Sequence, residues 1–295
     1  MQTFDKLIEI PNLTLALGYF DGVHLGHQKV IKSAVNYAKE NNTKSAVVTF
    51  KDHPCCYFYG VCPKYILQRE VRRKRIEDLG VDYLFELDFD ENLSKLNAED
   101  YLNNILVKYF KPVSISTGFN HFFGAKKTGD AEFLNRNQEK YGYRYFEIPP
   151  QKHKDKVISS TLIRELLSLG NIDSANEMLG INFEVTGKVI GGQKLGRKLG
   201  FRTANVLYPP ELIDLPFGVY EVISQYGKGI ANFGIRPTVS DTKKAILETH
   251  ILDFDGDIYG QNIDIEFMRM LRKERKFSSV EELKIQINKD IKSVI

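Results

Sequence analysis

Long apolar runs are missing from this sequence. No uninterrupted apolar stretch approaches the roughly 20 residues that a spanning helix needs. The first residues, Met1 to Ile10, carry Asp5 and Glu9, where a secretory leader is basic and then apolar. Export and membrane insertion are therefore not expected, and a cytoplasmic protein is. Cysteine is scarce: Cys55, Cys56 and Cys62 stand close together. Without a second cluster or paired histidines they do not complete a zinc spacing, so free thiols in a reducing cytosol are the expectation. An excess of one charge is also lacking. The 41 basic and 38 acidic residues leave a net +3, too small to single out nucleic acid as a partner. The basic run Arg69-Glu-Val-Arg-Arg-Lys-Arg75 is threaded by Val71, with Ile76 and Leu79 beyond it and Glu77 and Asp78 close behind. It reads as a solvated helix face over a buried stripe. There is no internal repeat and no low-complexity segment.

What remains is an ordinary globular composition in a chain of 295 residues, longer than one compact core usually runs, so two domains are expected. Short β-rich runs alternate with helical periods in the first half. Leu13–Leu17, Ala46–Phe50, Tyr83–Leu87, Val113–Ser116 and Tyr145–Ile148 read as strands. Val30, Ile31, Ala34, Val35 and Ala38, and again Tyr101, Leu102, Ile105, Leu106 and Tyr109, recur at helical spacing. This alternation predicts a Rossmann-like, doubly wound parallel sheet, an α/β domain over residues 1–182. From Phe183 onward strands and glycine-bearing turns dominate. Phe183–Thr186, Tyr220–Ser224, Ile246–Leu252 and Ile263–Phe267 predict a small antiparallel β-barrel over 183–295. A closing amphipathic helix is expected from Val280, Leu283, Ile287 and Ile291.

Gly18-Tyr-Phe-Asp-Gly-Val-His-Leu-Gly-His27 falls where the first strand ends and the first helix begins. From that place this architecture presents backbone donors to phosphates. Gly18, Phe20, Asp21, Gly22 and Gly26 form a glycine-rich turn around His24 and His27. Protonated or hydrogen-bond-donating imidazoles there would stabilise charge developing on a phosphoryl group. Further on, Ile158-Ser-Ser-Thr-Leu-Ile-Arg164 sets Ser159, Ser160 and Thr161 before an apolar helical run, with Arg164 one turn inside. Such hydroxyls can simply cap a helix; with a cation beside them they also make a clamp for a leaving pyrophosphate.

These motifs, with Gly118-Phe-Asn-His-Phe-Phe-Gly124 and Thr128-Gly-Asp130, resemble the adenylyltransferase module of bacterial bifunctional riboflavin kinase/FMN adenylyltransferases, the FAD synthetases. The likeness runs essentially from end to end. It implies that His24 and His27 contact the ATP phosphates, that Ser159, Ser160, Thr161 and Arg164 hold the departing pyrophosphate, and that Asn120 and Phe123 bind FMN. The reaction implied is attack of the FMN phosphate on the ATP α-phosphorus with Mg²⁺ assistance, giving FAD and pyrophosphate. Thr49-Phe-Lys-Asp-His-Pro54 matches a further family segment, in which His53 either lines the nucleotide pocket or ends a strand. Tyr19, His121 and Leu162 stand where the family more often has asparagine, phenylalanine and arginine; only the last removes a charge.

In the second half, Gly187 to Asn205 packs five glycines beside basic residues, a loop able to turn its amides toward phosphates or simply to join strands. Thr203 and Asn205 offer neutral oxygens suited to Mg²⁺, and Glu248 on an expected strand could act as a base. With Phe217–Tyr220, Asn232–Thr238, Leu247–His250 and Leu271–Phe277, the segment resembles the riboflavin kinase module of the same family. The likeness implies transfer of the ATP γ-phosphate to the riboflavin 5′-hydroxyl. Glu248 would be the base, Thr203 and Asn205 would sit at the metal, Gly192 and Gly196 in the phosphate loop, and Arg272 in the segment covering the flavin. Arg202 replaces the family's proline. Proline would fix φ and hold the metal-binding turn in shape, so restoring it is expected to raise kinase activity if that turn is a defect. The alternative is a monofunctional adenylyltransferase with a kinase-inactive, flavin-binding barrel. An RNA- or tRNA-related protein, suggested because His-x-Gly-His also occurs in aminoacyl-tRNA synthetases, leaves the second glycine loop and Glu248 without a role. The partners implied are ATP, FMN, FAD and riboflavin, with no nucleic acid and no membrane.

Overall fold

The computed structural model describes residues 1–191, 201–236 and 244–295; Gly192 and Gly196 lie outside them. Its chain divides into two compact units, one of residues 1–63 and 69–159, the other of 64–68 and 160–295.

Six parallel strands form the sheet of the first unit: β1 (Gln2–Phe4), β2 (Leu13–Leu17), β3 (Lys44–Phe50), β4 (Tyr83–Leu87), β5 (Ser114–Gly118) and β6 (Arg144–Ile148). Their spatial order is β1-β4-β3-β2-β5-β6. The central strand β2 is buried along its whole length, as a parallel strand covered on both faces must be. Its helices are α1 (Leu25–Glu40), α2 (Pro54–Tyr59), α3 (Arg69–Asp78), α4 (Glu91–Lys95), α5 (Ala98–Tyr101), α6 (Lys108–Phe110) and α7 (Ala131–Tyr141). The apolar positions expected of α1 are the ones it buries. A π-helical segment, Leu102–Val107, joins α5 to α6 and turns Leu102, Leu106 and Phe110 inward. A short hairpin, β7 (Lys152–His153) with β8 (Lys156–Val157), precedes the second unit.

That unit opens with α8 (Ser160–Ser168) and α9 (Ile172–Leu179). Helix α9 is fastened to the barrel by Asn176, whose amide donates to the Phe267 carbonyl and accepts from the Phe183 amide. The barrel strands are β9 (Phe183–Ile190), β10 (Ala204–Leu207), β11 (Gly218–Ser224), β12 (Gly227–Arg236), β13 (Lys244–Ile251) and β14 (Asn262–Lys273). They close in the order β10-β13-β12-β11-β14-β9, all pairs antiparallel. Val185 and Val189, Leu247 and Thr249, and Ile263, Ile265 and Phe267 fill the interior at a period of two. The fold class expected from the sequence is thus the one present. The closing helix is α10 (Val280–Lys292), capped by Ser279, whose hydroxyl accepts from the Glu282 amide. Only Ile287 and Ile291 of its expected stripe pack on the outer barrel cluster of Val219 and Ile230; Val280 is exposed.

Two sequence expectations are corrected. Cys56 and Cys62 are joined in a disulfide, and only Cys55 is free: the chain reverses at Gly60, whose φ is 66°, and brings the paired Cα atoms to 4.4 Å. The basic stretch of α3 is not wholly a solvated face, because Arg72 is buried. Its guanidinium meets Glu86 of β4 at 2.8 Å and donates to the carbonyls of Phe50 and Tyr19. A buried cation requires such a set of partners.

Candidate active sites

In the first unit the strand order reverses direction between β2 and β5, so the loops that follow these two strands flank the crevice where such sheets bind ligands. The loop after β2 is tightly shaped. Gly22 has φ 83°, Phe20 and Val23 also take positive φ, and the Val23 amide returns to the Phe20 carbonyl. Phe20 and Asp21 are buried. Thr49 and Arg72 both donate to the Tyr19 carbonyl, fastening the loop to β3 and α3. His24 is the N-cap of α1, and its Nδ1 accepts from the His27 amide at 3.2 Å. With Nδ1 an acceptor, the remaining ring proton sits on Nε2 as the donor. The His27 ring stacks on His24 at 3.6 Å and takes the edge of Phe20 at 5.3 Å. Gly26 leaves room for that stack, since a Cβ there would come to a tight 3.1 Å from the His24 ring.

Burial holds the His24 imidazole down at about 4 against its ordinary 6.5, outweighing the opposite pull of its backbone hydrogen bond. The first-site imidazole at the cap is therefore neutral near pH 7, a donor and not a cation. A second histidine, His121 in the loop after β5, is likewise held at about 4 by burial; the residue is half-buried, but its Nε2 is enclosed. Unfolded, both groups take a proton near pH 6.5; folded, only near 4. The contribution of these two histidines to stability is therefore complete above pH 6.5 and is lost as pH falls toward 4, by on the order of 2 kcal/mol per histidine at pH 5. Calorimetry between pH 7 and 5 should show the melting temperature falling, and falling less in His121→Phe, which keeps only the His24 contribution.

After β5, Asn120 folds its carboxamide over Gly118, where a Cβ would meet Oδ1 at 3.5 Å. Phe123 is half-buried between Tyr101 and Phe133. Its amide and carbonyl exchange hydrogen bonds with Gly129, which joins the Gly118–Gly124 and Thr128–Asp130 motifs. His53 caps α2 and stands edge-on to Tyr19 at 4.8 Å, so it is both a strand-end residue and a neighbour of the β2 loop. Ser159 ends the first unit; Ser160, Thr161 and Arg164 stand on the first turns of α8 in the second, where Arg164 donates through Nε to the Lys64 carbonyl.

The barrel gathers a second constellation. Glu248 of β13 lies directly opposite Asn205 of β10 on one side and Asn232 of β12 on the other. Directly opposed residues share a face, so a carboxylate stands in one row between two carboxamides. Asn232 carried no role in the sequence reading beyond its place in a motif; only the register reveals it. A cavity of about 250 Å³ adjoins Asn205 and Thr203, walled by Val189, Thr249 and Ile251 and by the segment Phe254–Tyr259. Thr249 Oγ1 is enclosed behind that wall, with no hydrogen-bond partner among the described residues. The donor set fits Mg²⁺. That ion prefers one or two protein oxygens and completes its shell with phosphates and water. Arg272 is engaged within the unit, paired through two nitrogens with Asp290 of α10, at 2.9 Å at its shortest.

Comparison with known proteins gives the following. Residues 8–162 match the FAD synthetase family and residues 179–295 the riboflavin kinase family. A bifunctional riboflavin kinase/FMN adenylyltransferase of Buchnera aphidicola is 35% identical over 96% of this chain and 93% of its own length. One of Haemophilus influenzae is 34% identical over 95% and 92%. A crystal structure from Streptococcus pneumoniae, described as a macrolide-efflux protein, superposes with a TM-score of 0.90 at 29% identity, covering 100% of this chain and 99% of that one. No helix among the described residues is long and apolar enough to cross a membrane.

Proposed function

Because this chain belongs to the family of bifunctional riboflavin kinase/FMN adenylyltransferases, we propose that it converts riboflavin to FMN in its barrel and FMN to FAD at the β2–α1 junction, with ATP as the co-substrate of both steps. The two family matches, one in each half, favour this over the monofunctional alternative. The observation that carries the reading is the stacked imidazole pair at the start of α1, held by a buried loop on the crevice side of the sheet.

In the adenylyl transfer an FMN phosphate oxygen forms a bond to the α-phosphorus of ATP while the bond to the β-phosphate oxygen breaks and pyrophosphate leaves. Nothing in this exchange requires a covalent enzyme intermediate, so the protein contributes positioning and charge stabilisation. His24 Nε2–H and His27 serve the phosphates, with the opening amides of α1 beside them. Gly18, Phe20, Asp21, Gly22 and Gly26 shape the nucleotide loop. Ser159, Ser160, Thr161 and Arg164 hold the leaving pyrophosphate, Asn120 meets FMN, and Phe123 fixes the flavin loop.

In the kinase step Glu248 takes the proton of the riboflavin 5′-hydroxyl as its oxygen bonds to the γ-phosphorus and ADP leaves. Thr203 and Asn205 would hold Mg²⁺, which supplies charge neutralisation on the phosphates. Gly192 and Gly196 complete the phosphate loop, and Arg272, through Asp290, keeps α10 in place beside the flavin. The functional division we propose runs 1–182 and 183–295, in the cytoplasm, where ATP is the reactant of both steps. The test is chromatographic separation of products from parallel incubations with riboflavin or FMN, each with Mg-ATP. Riboflavin should yield FMN and then FAD, and FMN should yield FAD; FAD from supplied FMN alone would return the barrel to a flavin-binding module.

A further inference from the structure

Arg202 stands where the family resemblance leads one to expect proline, and it occupies a defined place. It lines the barrel cavity, next to Thr203. The segment Phe254–Tyr259, which belongs to no strand and connects β13 to β14, lines the same cavity. The far end of that segment is well tied: the Gly260 amide donates to Val189 and the Gln261 amide to Ile258. At its near end the Phe254 ring packs on Tyr226 at 4.8 Å, and Arg202 meets the next residue, Asp255. Nη1 donates to the Asp255 carbonyl at 2.9 Å and lies 3.1 Å from the Asp255 carboxylate.

The arm that makes this reach is itself held. The Arg202 carbonyl accepts from His250 Nδ1 at 2.7 Å, and the Phe201 ring stands edge-on to His250 at 5.5 Å. His250 of β13 thus braces this turn at Phe201 and Arg202, which leaves the side chain at 202 available for another task. Proline has no donor with which to perform it. Both partners remain open to water, Arg202 at 56% and Asp255 at 93% exposure. An ion pair so exposed is weak enough to open and close readily, as a clasp over a binding cavity must be if ligand is to enter.

We infer that Arg202 is a positioning residue that clasps the Asp255 segment across the mouth of the cavity and so sets how tightly the barrel retains its nucleotide. The inference rests on the proposed kinase reading. It reverses the sign expected for a restored proline: Arg202→Pro loses the clasp while the turn is already held by His250, so it weakens nucleotide retention and gives no gain.

The test uses the full chain in two measurements. Hydrogen exchange without nucleotide reads the clasp itself. Arg202→Ala should speed exchange in residues 254–259, Arg202→Pro should do the same, and Arg202→Lys should lie between alanine and the native chain. Steady-state FMN formation reads the consequence. The KM for ATP should rise roughly three- to tenfold in Arg202→Ala, less in Asp255→Asn, which keeps the carbonyl contact. Meanwhile kcat should stay within about twofold, and FAD formation from FMN should not change. Unaltered exchange in Arg202→Ala overturns the clasp. Altered exchange with an unaltered KM overturns its role in nucleotide retention, as does a loss confined to kcat. A native chain that forms no FMN from riboflavin overturns the kinase reading beneath it, while the exchange result still decides whether the clasp exists.

Discussion

Replacing His27 by alanine should lower FAD formation from FMN by about 10²–10³-fold, while FMN formation from riboflavin stays within about twofold. The size follows from what the imidazole is placed to do. His24 is neutral, buried, and has spent Nδ1 on the α1 cap. On the proposed reading His27, half-buried and stacked on His24 at 3.6 Å, meets the phosphates beside the His24 Nε2–H. Alanine is a good helix former inside the first turn of α1, so the helix should persist, and unchanged kinase activity would report an intact chain. Equal loss of both activities would mean that the two chemistries share a site.

The second large effect belongs to Glu248. Substitution by glutamine keeps the size of the side chain and its place between Asn205 and Asn232 but removes the ability to take a proton. FMN formation should fall by about 10²–10⁴-fold, with KM for ATP little altered, and FAD formation from supplied FMN should continue. A glutamine variant that phosphorylates riboflavin at the native rate would deprive the carboxylate of the role of base. These two substitutions have opposite selectivity, so the pair tests the assignment of one reaction to each half of the chain better than either alone.

What could be read in advance followed local chemistry. The parallel sheet was legible because β-rich runs such as Leu13–Leu17 and Ala46–Phe50 alternate with helical periods, and the barrel because Val185, Val189 and their partners alternate with polar residues. The histidine loop was legible because a helix start after a strand, with glycine where a ring must lie, is a local pattern. Arg72 was not, because its burial depends on Glu86 and on the Phe50 and Tyr19 carbonyls, which no periodicity within α3 announces. The Cys56–Cys62 pair depends on the backbone reversal at Gly60, and spacing alone left it among free thiols. Asn232 gained its place beside Glu248 only from the barrel register. Asp255 gained its significance only from the crossing made by Arg202. The neutrality of His24 was also hidden, since desolvation is a property of packing and not of sequence.

The most direct measurement follows the phosphorus atoms. Purified protein is incubated with FMN, Mg²⁺ and ATP labelled at the α-phosphorus, and the products are separated. Label should appear in FAD, with unlabelled pyrophosphate released in equal amount, and the His27→Ala chain should show almost none. Label that never enters a flavin, with FMN recovered unchanged, would contradict an adenylyl transfer at the junction between β2 and α1.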